Sequence, residues 1–437
     1  MVAWPDRKPR FSLGRVILRD PVHGLISFEG PDEDVVRRLI DTCEVQRLRR
    51  IRCLGPASFA FPGAEHSRFS HAVGSAHVMK RYLGRIRRLG DDIPARDRVD
   101  VETGRVALAA ALLHDLGHGP FSHTFEAVMP GPIVHEQWTS RLILDPDSEV
   151  HRVLHEIDPQ MPRAVERLVF GQSSIPHLAR AVSGTFDVDR CDYLMRDSYM
   201  TGVRYGTIDL EWLLRSLRLY LPPGATAASL AVDGEKGLTA VEGFFLGRLY
   251  MYRQVYLHKA VRAAETVMRA LFRRLSEVGR QAPTPPALDA LLRGESVSNG
   301  SFLELDDAAL ETAIAGYTGS DDELLRDLAG RLRRRRLFKT MRLRKDVSAE
   351  HALARLHEVL RATGAGPEYL GVVDRVEVDA YIEDETMMVI GGGGRLVRLL
   401  EASPVLHGLS QETFVHYRAI FPPEVREHVW TAMADMV

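Results

Sequence analysis

Histidine and carboxylate side chains cluster in one segment of the chain in a pattern suited to holding a metal ion. In ALLHDLGHGPFSHTFE, residues 111–126, an apolar helical run ends in His114 and Asp115 and continues into a Gly- and Pro-rich turn. Imidazole nitrogen and carboxylate oxygen together suit Fe, Mn, Co, Ni or Zn better than calcium. This pair therefore predicts half of a site for a divalent transition metal.

The remaining metal ligands must come from distant segments, and two residues have a suitable character. His71 lies in HSRFSHAVG and Asp189 lies in FDVDRCDYLMRDS, and both segments have helical periodicity. Asp189, Tyr193 and Asp197 recur every four residues, so one helical face carries two carboxylates and a phenol. Such a face is costly to bury without partners. The alternative interpretation is that the carboxylates of this face form salt bridges with arginines and have a structural role.

A mainly helical domain must position these residues. Apolar residues recur at three- and four-residue intervals in eight segments, which are 34–54, 71–90, 103–118, 134–145, 162–170, 176–183, 186–198 and 209–219. A long helical stretch is predicted from about 238 to 278. Residues 281–301 are rich in Pro and Gly and predict a surface connection, after which helices resume near Asp306.

Strands are predicted near the two ends of the chain. RVILRDPVHGLISFE, residues 15–29, predicts a short hairpin, and YLGVVDRVEVDAYI and TMMVIGG predict strands, followed by a helical tail from Ser410. The predicted fold class is mainly α, with a short N-terminal β-hairpin and a small mixed α/β C-terminal lobe. The predicted segments are 1–30 for the hairpin, 31–280 for the catalytic core and 281–437 for the C-terminal lobe, which is helical and then α/β from about 366.

Composition limits the kinds of partner and compartment. The chain has 437 residues, and 57 Lys and Arg nearly balance 59 Asp and Glu, so any site for an anionic partner must be local. Cys43, Cys53 and Cys191 form no CxxC pair, which disfavours a disulfide framework or a thiolate zinc site. Neither a signal peptide nor a membrane span is predicted. We therefore expect a cytoplasmic protein without a membrane partner.

The strings around the candidate ligands are specific enough to suggest a family. LLHDLGHGPFSH, FPGAEHSRFSHAVG and DVDRCDYLMRD resemble deoxynucleoside triphosphate triphosphohydrolases of the HD-domain superfamily, of the kind found as the catalytic core of SAM-and-HD-domain proteins. The resemblance runs from about Val16 into the C-terminal lobe. It implies a metal centre formed by His71, His114, Asp115 and Asp189, with additional Mg as a further cation.

The resemblance also implies a catalytic group beside the metal. His123 matches the family's catalytic histidine, and Glu126 and His135 match the groups that support it. A histidine beside a carboxylate can be held protonated to assist a leaving oxygen. Glu126 as an ordinary helix-surface acid, and structural hydrogen bonding by His123 and His135, are the alternatives.

Substrate-binding positions are implied by the same matches. Those that contact the triphosphate are Arg68, His118, Arg190 and Arg248. Tyr193 and Asp197 match residues that close on the sugar, and Leu54 and Tyr256 match further pocket residues. Cys53 and Tyr252 depart from the pattern, because the related enzymes have glutamine and histidine there. Cysteine replaces an amide poorly as a hydrogen-bonding group.

A second nucleotide site is implied as well. Asp41, Gln46 and Arg49 match positions that bind an activating nucleotide, and Arg335 and Lys339 match partners from a neighbouring subunit. The resemblance thus implies GTP or a dNTP as activator and a homo-oligomer, either a dimer or a tetramer. A solvated face or a nucleic-acid contact is the alternative interpretation of the arginine-rich run around Arg335.

The leading functional hypothesis is a metal-dependent HD phosphohydrolase that converts dNTPs to deoxynucleosides and inorganic triphosphate. One alternative is an HD phosphohydrolase that removes phosphates stepwise from other nucleotides or nucleotide-like metabolites. The other is a non-catalytic protein that binds nucleotides or nucleic acid. The complete set of four ligands disfavours this last hypothesis, because a binding module has no need of all four.

Overall fold

The computed structural model describes residues 16–437 except 90–93, 130–133, 185, 223, 280, 282, 365, 380 and 382–386. Residues 1–15 of the predicted N-terminal segment lie outside the described residues. So do the last residue of the predicted 71–90 helix and residues 380, 382 and 386 of the predicted strands. Within the described residues, no helix is both long and apolar enough to cross a membrane.

Helices dominate the part of the chain that the structure describes, and the short strands in this part form three sheets. The strands are β1 (Val16–Asp20), β2 (Gly24–Phe28), β3 (Leu217–Tyr220), β4 (Ser229–Asp233), β5 (Lys339–Arg342), β6 (Val372–Asp379), β7 (Met388–Ile390), β8 (Leu396–Arg398) and β9 (Thr413–Phe421). The sheets are β1-β2, β3-β4-β7-β8 and β5-β9-β6.

The α-helices run along the whole described chain. They are α1 (Asp34–Leu39), α2 (Cys43–Arg47), α3 (Arg68–Leu89), α4 (Val101–Leu113), α5 (His123–Glu126), α6 (His135–Leu144), α7 (Glu149–Ile157), α8 (Met161–Val169), α9 (Pro176–Val182), α10 (Val188–Thr201) and α11 (Leu210–Ser216). After β4 come α12 (Gly234–Met251), α13 (Lys259–Val278), α14 (Pro286–Leu292), α15 (Asn299–Leu303), α16 (Asp307–Tyr317), α17 (Glu323–Arg333), α18 (Ala349–Ala362), α19 (Pro367–Leu370), α20 (Leu399–Ala402), α21 (Pro404–Ser410) and α22 (Arg426–Ala432). The predicted mainly helical fold class is confirmed.

The N-terminal hairpin is built around one aspartate. Val16 pairs with Phe28, and the antiparallel register ends at Asp20 and Gly24. The Oδ1 atom of Asp20 accepts the backbone N–H groups of Val22 and His23, both at 2.9 Å, which closes the turn. The predicted hairpin is confirmed, and its inward face packs on the main helical core.

The helices that carry the candidate ligands pack against one another. Helix α3 contacts both α4 and α10. Asp100 caps α4 by accepting the N–H of Thr103, and Asp187 caps α10 by accepting the N–H of Arg190. The last seven residues of α4, 107–113, are all buried, so its apolar run reflects packing on every side.

Two further apolar clusters lie in the C-terminal half. One joins α13 to α14, α16 and α17, and the other lies between the β5-β9-β6 sheet and helices α18 and α22. The predicted segment boundaries stay a prediction. Helix α13 lies inside the predicted 31–280 segment, and most of its buried residues pack with α14 to α17.

Several predicted elements differ in the structure. The tail prediction was wrong over 413–421, because this segment is strand β9 between β5 and β6, and a helix follows only at 426–432. The 209–219 helix ends at Ser216 and becomes β3, and the 34–54 stretch is broken after α1. The long stretch from 238 is interrupted at residues 252–256, which form a π-helical turn. The predicted surface connection contains α14, with Leu288 and Leu291 buried.

Candidate active site

Three helices bring the four candidate metal ligands together. His71 lies in the first turn of α3, Asp189 lies in the first turn of α10, and His114 and Asp115 follow the last residue of α4. The Nε2 atom of His71 lies 3.0 Å from an oxygen of Asp189, 3.3 Å from His114 Nε2 and 3.6 Å from an oxygen of Asp115. His114 Nε2 lies 3.5 Å from oxygens of both aspartates.

These spacings and this donor set fit a transition metal. Two donor atoms that are each about 2.1 Å from one ion lie about 3.0–3.4 Å apart in common coordination geometries. The four residues offer two imidazole nitrogens and two carboxylates, which suit Mn, Fe, Co, Ni or Zn. The set fits the metal implied by the sequence.

Hydrogen bonds behind the histidines orient them toward the shared space. The Nδ1 atom of His114 lies 3.0 Å from the carbonyl oxygen of Ala111, and Nδ1 of His71 lies 2.8 Å from an oxygen of Asp192. Because a carbonyl and a carboxylate accept, the Nδ1 atoms donate. Each Nε2 lone pair therefore faces the cluster, which is the arrangement that ligating histidines need.

Negative charge in the cluster favours a cation. Burial lowers the pKa of His71, but hydrogen bonds with Asp189 and Asp192 outweigh it and raise the pKa to about 10. Burial would raise the pKa of Asp189, yet hydrogen bonds from His114 and His71 lower it below its usual value. The carboxylates thus stay ionised and hold a positive charge beside them, which a proton or a metal ion supplies.

A buried ionic network supports His71, and the sequence analysis missed it. Asp192 is fully buried and accepts from Arg196 at 2.8 and 2.9 Å, while His23 Nε2 lies 2.7 Å from the same carboxylate. Arg196 also donates to Asp20 at 2.7 Å. The turn of the N-terminal hairpin is therefore connected to the candidate metal centre through Asp192.

A second titratable cluster lies on the other side of Asp115. His118 Nε2 lies 3.3 Å from an oxygen of Asp115. Its ring stacks on His135 with centroids 3.8 Å apart. Glu126 joins the cluster, with its oxygens 2.9 Å from His135 Nδ1 and 3.2 Å from His123 Nδ1. His123, Glu126 and His135 are thus in mutual contact, as the resemblance implies.

The residues of this cluster differ in charge and exposure. Burial would raise the pKa of Glu126, but hydrogen bonds with His123 and His135 lower it well below its usual value, so the carboxylate is ionised. Burial and the nearby Arg68 lower the pKa of His118, which is therefore neutral. The His123 side chain is 70% exposed and can meet a ligand from solvent.

The loop before His123 is strained. Phe121 and Ser122 have positive φ angles of 53° and 55°, which non-glycine residues rarely adopt. Asp307 accepts the N–H of Phe121 at 2.8 Å, and Ser122 Oγ accepts from Arg68 Nε at 2.9 Å and donates to a carbonyl at 2.8 Å. Strained backbone held by such contacts is typical of functional sites.

A cavity of about 450 Å³ opens beside both clusters. The sequence-predicted residues that line it are Cys53, Leu54, Arg68, His71, Asp115, His118, His123, His135, Asp189, Tyr193, Asp197, Tyr252 and Tyr256. The volume is in the range of small-molecule sites. The candidate metal ligands, the exposed ring of His123 and the aromatic side chains thus line the same cavity.

The far wall of the cavity is polar and aromatic. Asp197 is buried, and its carboxylate has two hydrogen-bond partners. The Tyr256 hydroxyl donates to Oδ2 at 2.8 Å, and His66 Nε2 lies 2.8 Å from Oδ1. Tyr193 meets Tyr256 edge to face with centroids 6.3 Å apart. Burial raises the pKa of Cys53 well above its usual value, so the thiol is neutral. The wall offers hydroxyl groups and a carboxylate suited to a ligand with several hydroxyls.

Two predicted phosphate contacts lie away from the cavity wall. Arg190 pairs with Asp187 and donates to the carbonyl of Gly184 at 2.6 Å. Arg248 lies 5.0 Å from the ring centre of Tyr252, and its buried Nε atom has no hydrogen-bond partner. Arg68 is the predicted arginine that lines the cavity, and it also pairs with Asp115.

The predicted activator residues form two separate groups within one chain. Gln46 donates to the carbonyl of Ile40 at 2.7 Å and accepts from Arg49 at 2.8 Å, and Asp41 is exposed nearby. Arg335 donates to the carbonyl of Phe59 at 2.9 Å, and Lys339 is exposed at the start of β5. Their roles stay predictions.

Two family models match this chain. Residues 68–160 match the HD domain family, and residues 208–437 match the family described as the HD associated region. The uncharacterized protein YwfO of Bacillus subtilis is 31% identical over 422 residues, which cover 94% of this chain and 92% of that protein.

More distant relatives and a solved structure carry functional names. The deoxynucleoside triphosphate triphosphohydrolase SAMHD1 homolog of Dictyostelium discoideum is 29% identical over 66% of this chain, and the chain spans 56% of its length. A phosphohydrolase crystal structure from Bacteroides thetaiotaomicron superposes with a TM-score of 0.78 at 26% identity, covering 93% of this chain and 100% of that one. This chain therefore belongs to the HD-domain phosphohydrolase superfamily, within the group that carries the HD associated region.

Proposed function

We propose that this protein hydrolyses deoxynucleoside triphosphates to deoxynucleosides and inorganic triphosphate. One observation carries the proposal. A single cavity is lined by the candidate metal ligands His71, Asp115 and Asp189, by the exposed ring of His123 and by the wall that contains Asp197. A nucleotide has phosphates, a bond to be broken and a hydroxylated sugar, and these match the three parts of the cavity. The names of the SAMHD1 relatives favour this substrate class.

Charge complementarity supports binding of the phosphates at the metal end. Arg68 lines the cavity and is held by Asp115 and Ser122, so its guanidinium has a fixed position. A divalent metal held by His71, His114, Asp115 and Asp189 would supply further positive charge for phosphate oxygens. Arg190 and Arg248 would need to turn toward the cavity to add to this charge.

Proton transfer is assigned to His123. Its Nδ1 atom lies 3.2 Å from the ionised carboxylate of Glu126, which orients the ring. The bond between the α-phosphorus and the 5′ oxygen would break, and His123 would give its proton to that oxygen as it leaves. Water supplies the hydroxyl that remains on the triphosphate, and the other proton of this water passes to solvent, from which His123 takes up a proton again. His135 is a positioning residue, because it holds Glu126 from the other side.

Activation by a nucleotide and assembly into a homo-oligomer belong to the same proposal. Asp41 and Arg49 are exposed and therefore accessible to a ligand or to a second subunit. Arg335 and Lys339 are exposed as well and would approach such a ligand from the neighbouring copy. GTP is the first activator to test.

Stepwise removal of phosphate from other nucleotides is the second candidate function. It is favoured by the cavity positions of Cys53 and Tyr252 and by the positions of Arg190 and Arg248 outside the cavity wall. A thiol is a poor hydrogen-bonding partner for a sugar hydroxyl. Of the two arginines that line the cavity, Arg196 is held by Asp192 and Asp20, which leaves Arg68 as the main cationic side chain for a triphosphate.

Product analysis tests both functions directly. Purified protein would be incubated with each dNTP and NTP in the presence of Mn, Mg, Fe or Co, with and without GTP. Release of inorganic triphosphate is the expected result, whereas orthophosphate or pyrophosphate would establish the second candidate. Absence of turnover in every combination would refute both candidate functions and would favour a protein that only binds nucleotides or nucleic acid.

A further inference from the structure

Two helix N-termini meet at a cluster that the proposed function does not use. Cys43 begins α2 and Glu149 begins α7. Glu149 Oε2 accepts the backbone N–H of Cys43 at 2.7 Å, and Glu44 Oε1 accepts the backbone N–H of Glu149 at 2.8 Å. Each of the two glutamates therefore accepts the first N–H group of the other helix, which holds both side chains close together.

One oxygen of this cluster has no partner. Glu44 is 1% exposed, and its Oε2 atom is buried without a hydrogen bond. Among the described residues, no lysine or arginine forms an ion pair with Glu44 or Glu149. A buried carboxylate oxygen in this state is costly, because its lost hydration is not replaced.

The third group of the cluster is a thiol. One ligand atom each from Cys43, Glu44 and Glu149 lie within 4.8 Å of one another. Partial burial of the sulfur and the two carboxylates raise the pKa of the Cys43 thiol to about 12. The negative potential that disfavours a thiolate here would be neutralised by a cation, and metal binding would displace the thiol proton.

We propose that Cys43, Glu44 and Glu149 bind a divalent cation of the Zn²⁺ class and thereby join α2 to α7. A thiolate ligand disfavours Mg²⁺ and Ca²⁺, whereas two carboxylates disfavour Cu⁺. Cys43 is exposed, so water can complete the coordination. The site lies in the segment that also carries Asp41 and Gln46.

Cobalt is the probe for this site, because a Co²⁺–thiolate bond produces a charge-transfer absorption that oxygen and nitrogen ligands do not. The full chain would be titrated with Co²⁺ after removal of bound metal. We expect the absorption to saturate at one equivalent per chain in a His114→Ala/Asp115→Ala variant. This background separates the new site from the HD centre, so loss of activity and loss of this site are distinguishable.

Matched cysteine variants identify the thiolate. The Cys53→Ser/Cys191→Ser variant should keep the absorption, and Cys43→Ser should abolish it. Glu44→Gln should weaken Co²⁺ binding at least 10-fold while far-ultraviolet circular dichroism stays unchanged. Binding should also release one proton per Co²⁺. An absent absorption, an absorption that persists in Cys43→Ser, or unchanged affinity in Glu44→Gln would each overturn the proposal.

Discussion

The Nδ1 atom of His71 lies 2.8 Å from the Oδ2 atom of Asp192, which is fully buried. His71 reaches the candidate metal centre with its other nitrogen, so Asp192 fixes the ring without being a ligand itself. Arg196 and His23 hold the same carboxylate, and Asp20 holds Arg196. The candidate metal centre is therefore connected to residues from the hairpin turn and from one face of α10.

The first prediction concerns Asp192. An Asp192→Asn substitution weakens the bond to His71 and leaves Arg196 with one carboxylate fewer. We expect metal affinity to fall about 10- to 100-fold. Metal titration of the purified variant measures the change. Asp209→Asn is the matched control, because Asp209 is exposed and only caps α11, a role that asparagine fills equally well. Wild-type affinity in Asp192→Asn would refute the positioning role.

The second prediction compares two glycines of α3. A Cβ atom at Gly74 would collide with the side chains of Asp192 and Arg196, whereas a Cβ atom at Gly84 meets nothing within 4 Å. Gly74→Ala should lower the free energy of unfolding by about 1–3 kcal/mol through overpacking. Gly84→Ala should raise it by about 0.5–1 kcal/mol through helix propensity. Urea denaturation measures both, and equal effects would contradict the close packing at Gly74.

The sequence predicted the residues of the candidate metal centre because they lie in recognisable strings, each on or just after one helix. His114 and Asp115 follow from chemistry alone, while His71 and Asp189 also needed the family resemblance. Asp192 lies in one of those strings, yet its role depends on His23, which is 169 residues away. Single-chain periodicity contains no information on such a contact.

The same reason explains the error in the C-terminal tail. Residues 413–421 form the central strand of a three-stranded sheet, and their partners are residues 339–342 and 372–379. Strand formation there is decided by pairing with distant segments rather than by local propensity. The positions of Arg190 and Arg248 were likewise unpredictable, since local partners such as Asp187 hold Arg190 away from the cavity.

The third prediction concerns the pH dependence of stability at Asp307. Burial is the main cause that raises the pKa of this carboxyl to about 6. Its contribution to stability is fully present below the unfolded-state pKa near 3.8 and is lost as the pH rises through 6. The stability of the wild type should therefore fall relative to Asp307→Asn between pH 4 and 7, by at most about 3 kcal/mol.

Denaturation midpoints of the wild type and of Asp307→Asn, measured from pH 4 to 7, test whether the stability difference changes with pH in the expected direction. Asp100→Asn is the control with the opposite sign, because a hydrogen bond from Thr103 lowers the pKa of Asp100. That contribution is present at neutral pH and is lost as the pH falls. A stability difference between wild type and Asp307→Asn that stays constant from pH 4 to 7 would contradict the raised pKa.

The last prediction separates proton transfer from metal binding. On the nucleotide that the product analysis identifies, His123→Ala should lower kcat about 100- to 10,000-fold. This is the usual effect of losing a general acid. Metal bound by His71, His114, Asp115 and Asp189 should stay unchanged, because the contacts of His123 within the described part of the chain are with His118, Glu126 and His135. His155→Ala, on the exposed face of α7, is the control and should keep full activity.

A Glu126→Gln variant then tests whether Glu126 supports the proton transfer assigned to His123. Burial would raise the pKa of Glu126, but hydrogen bonds with His123 and His135 lower it well below its usual value, and glutamine keeps the shape of this ionised group but removes its charge. We expect kcat to fall while far-ultraviolet circular dichroism and the metal content stay unchanged. In a His123→Ala background the same substitution should cause no further loss of kcat, because the group that it supports is already absent. An equally large loss of kcat in both backgrounds would show that Glu126 acts independently of His123.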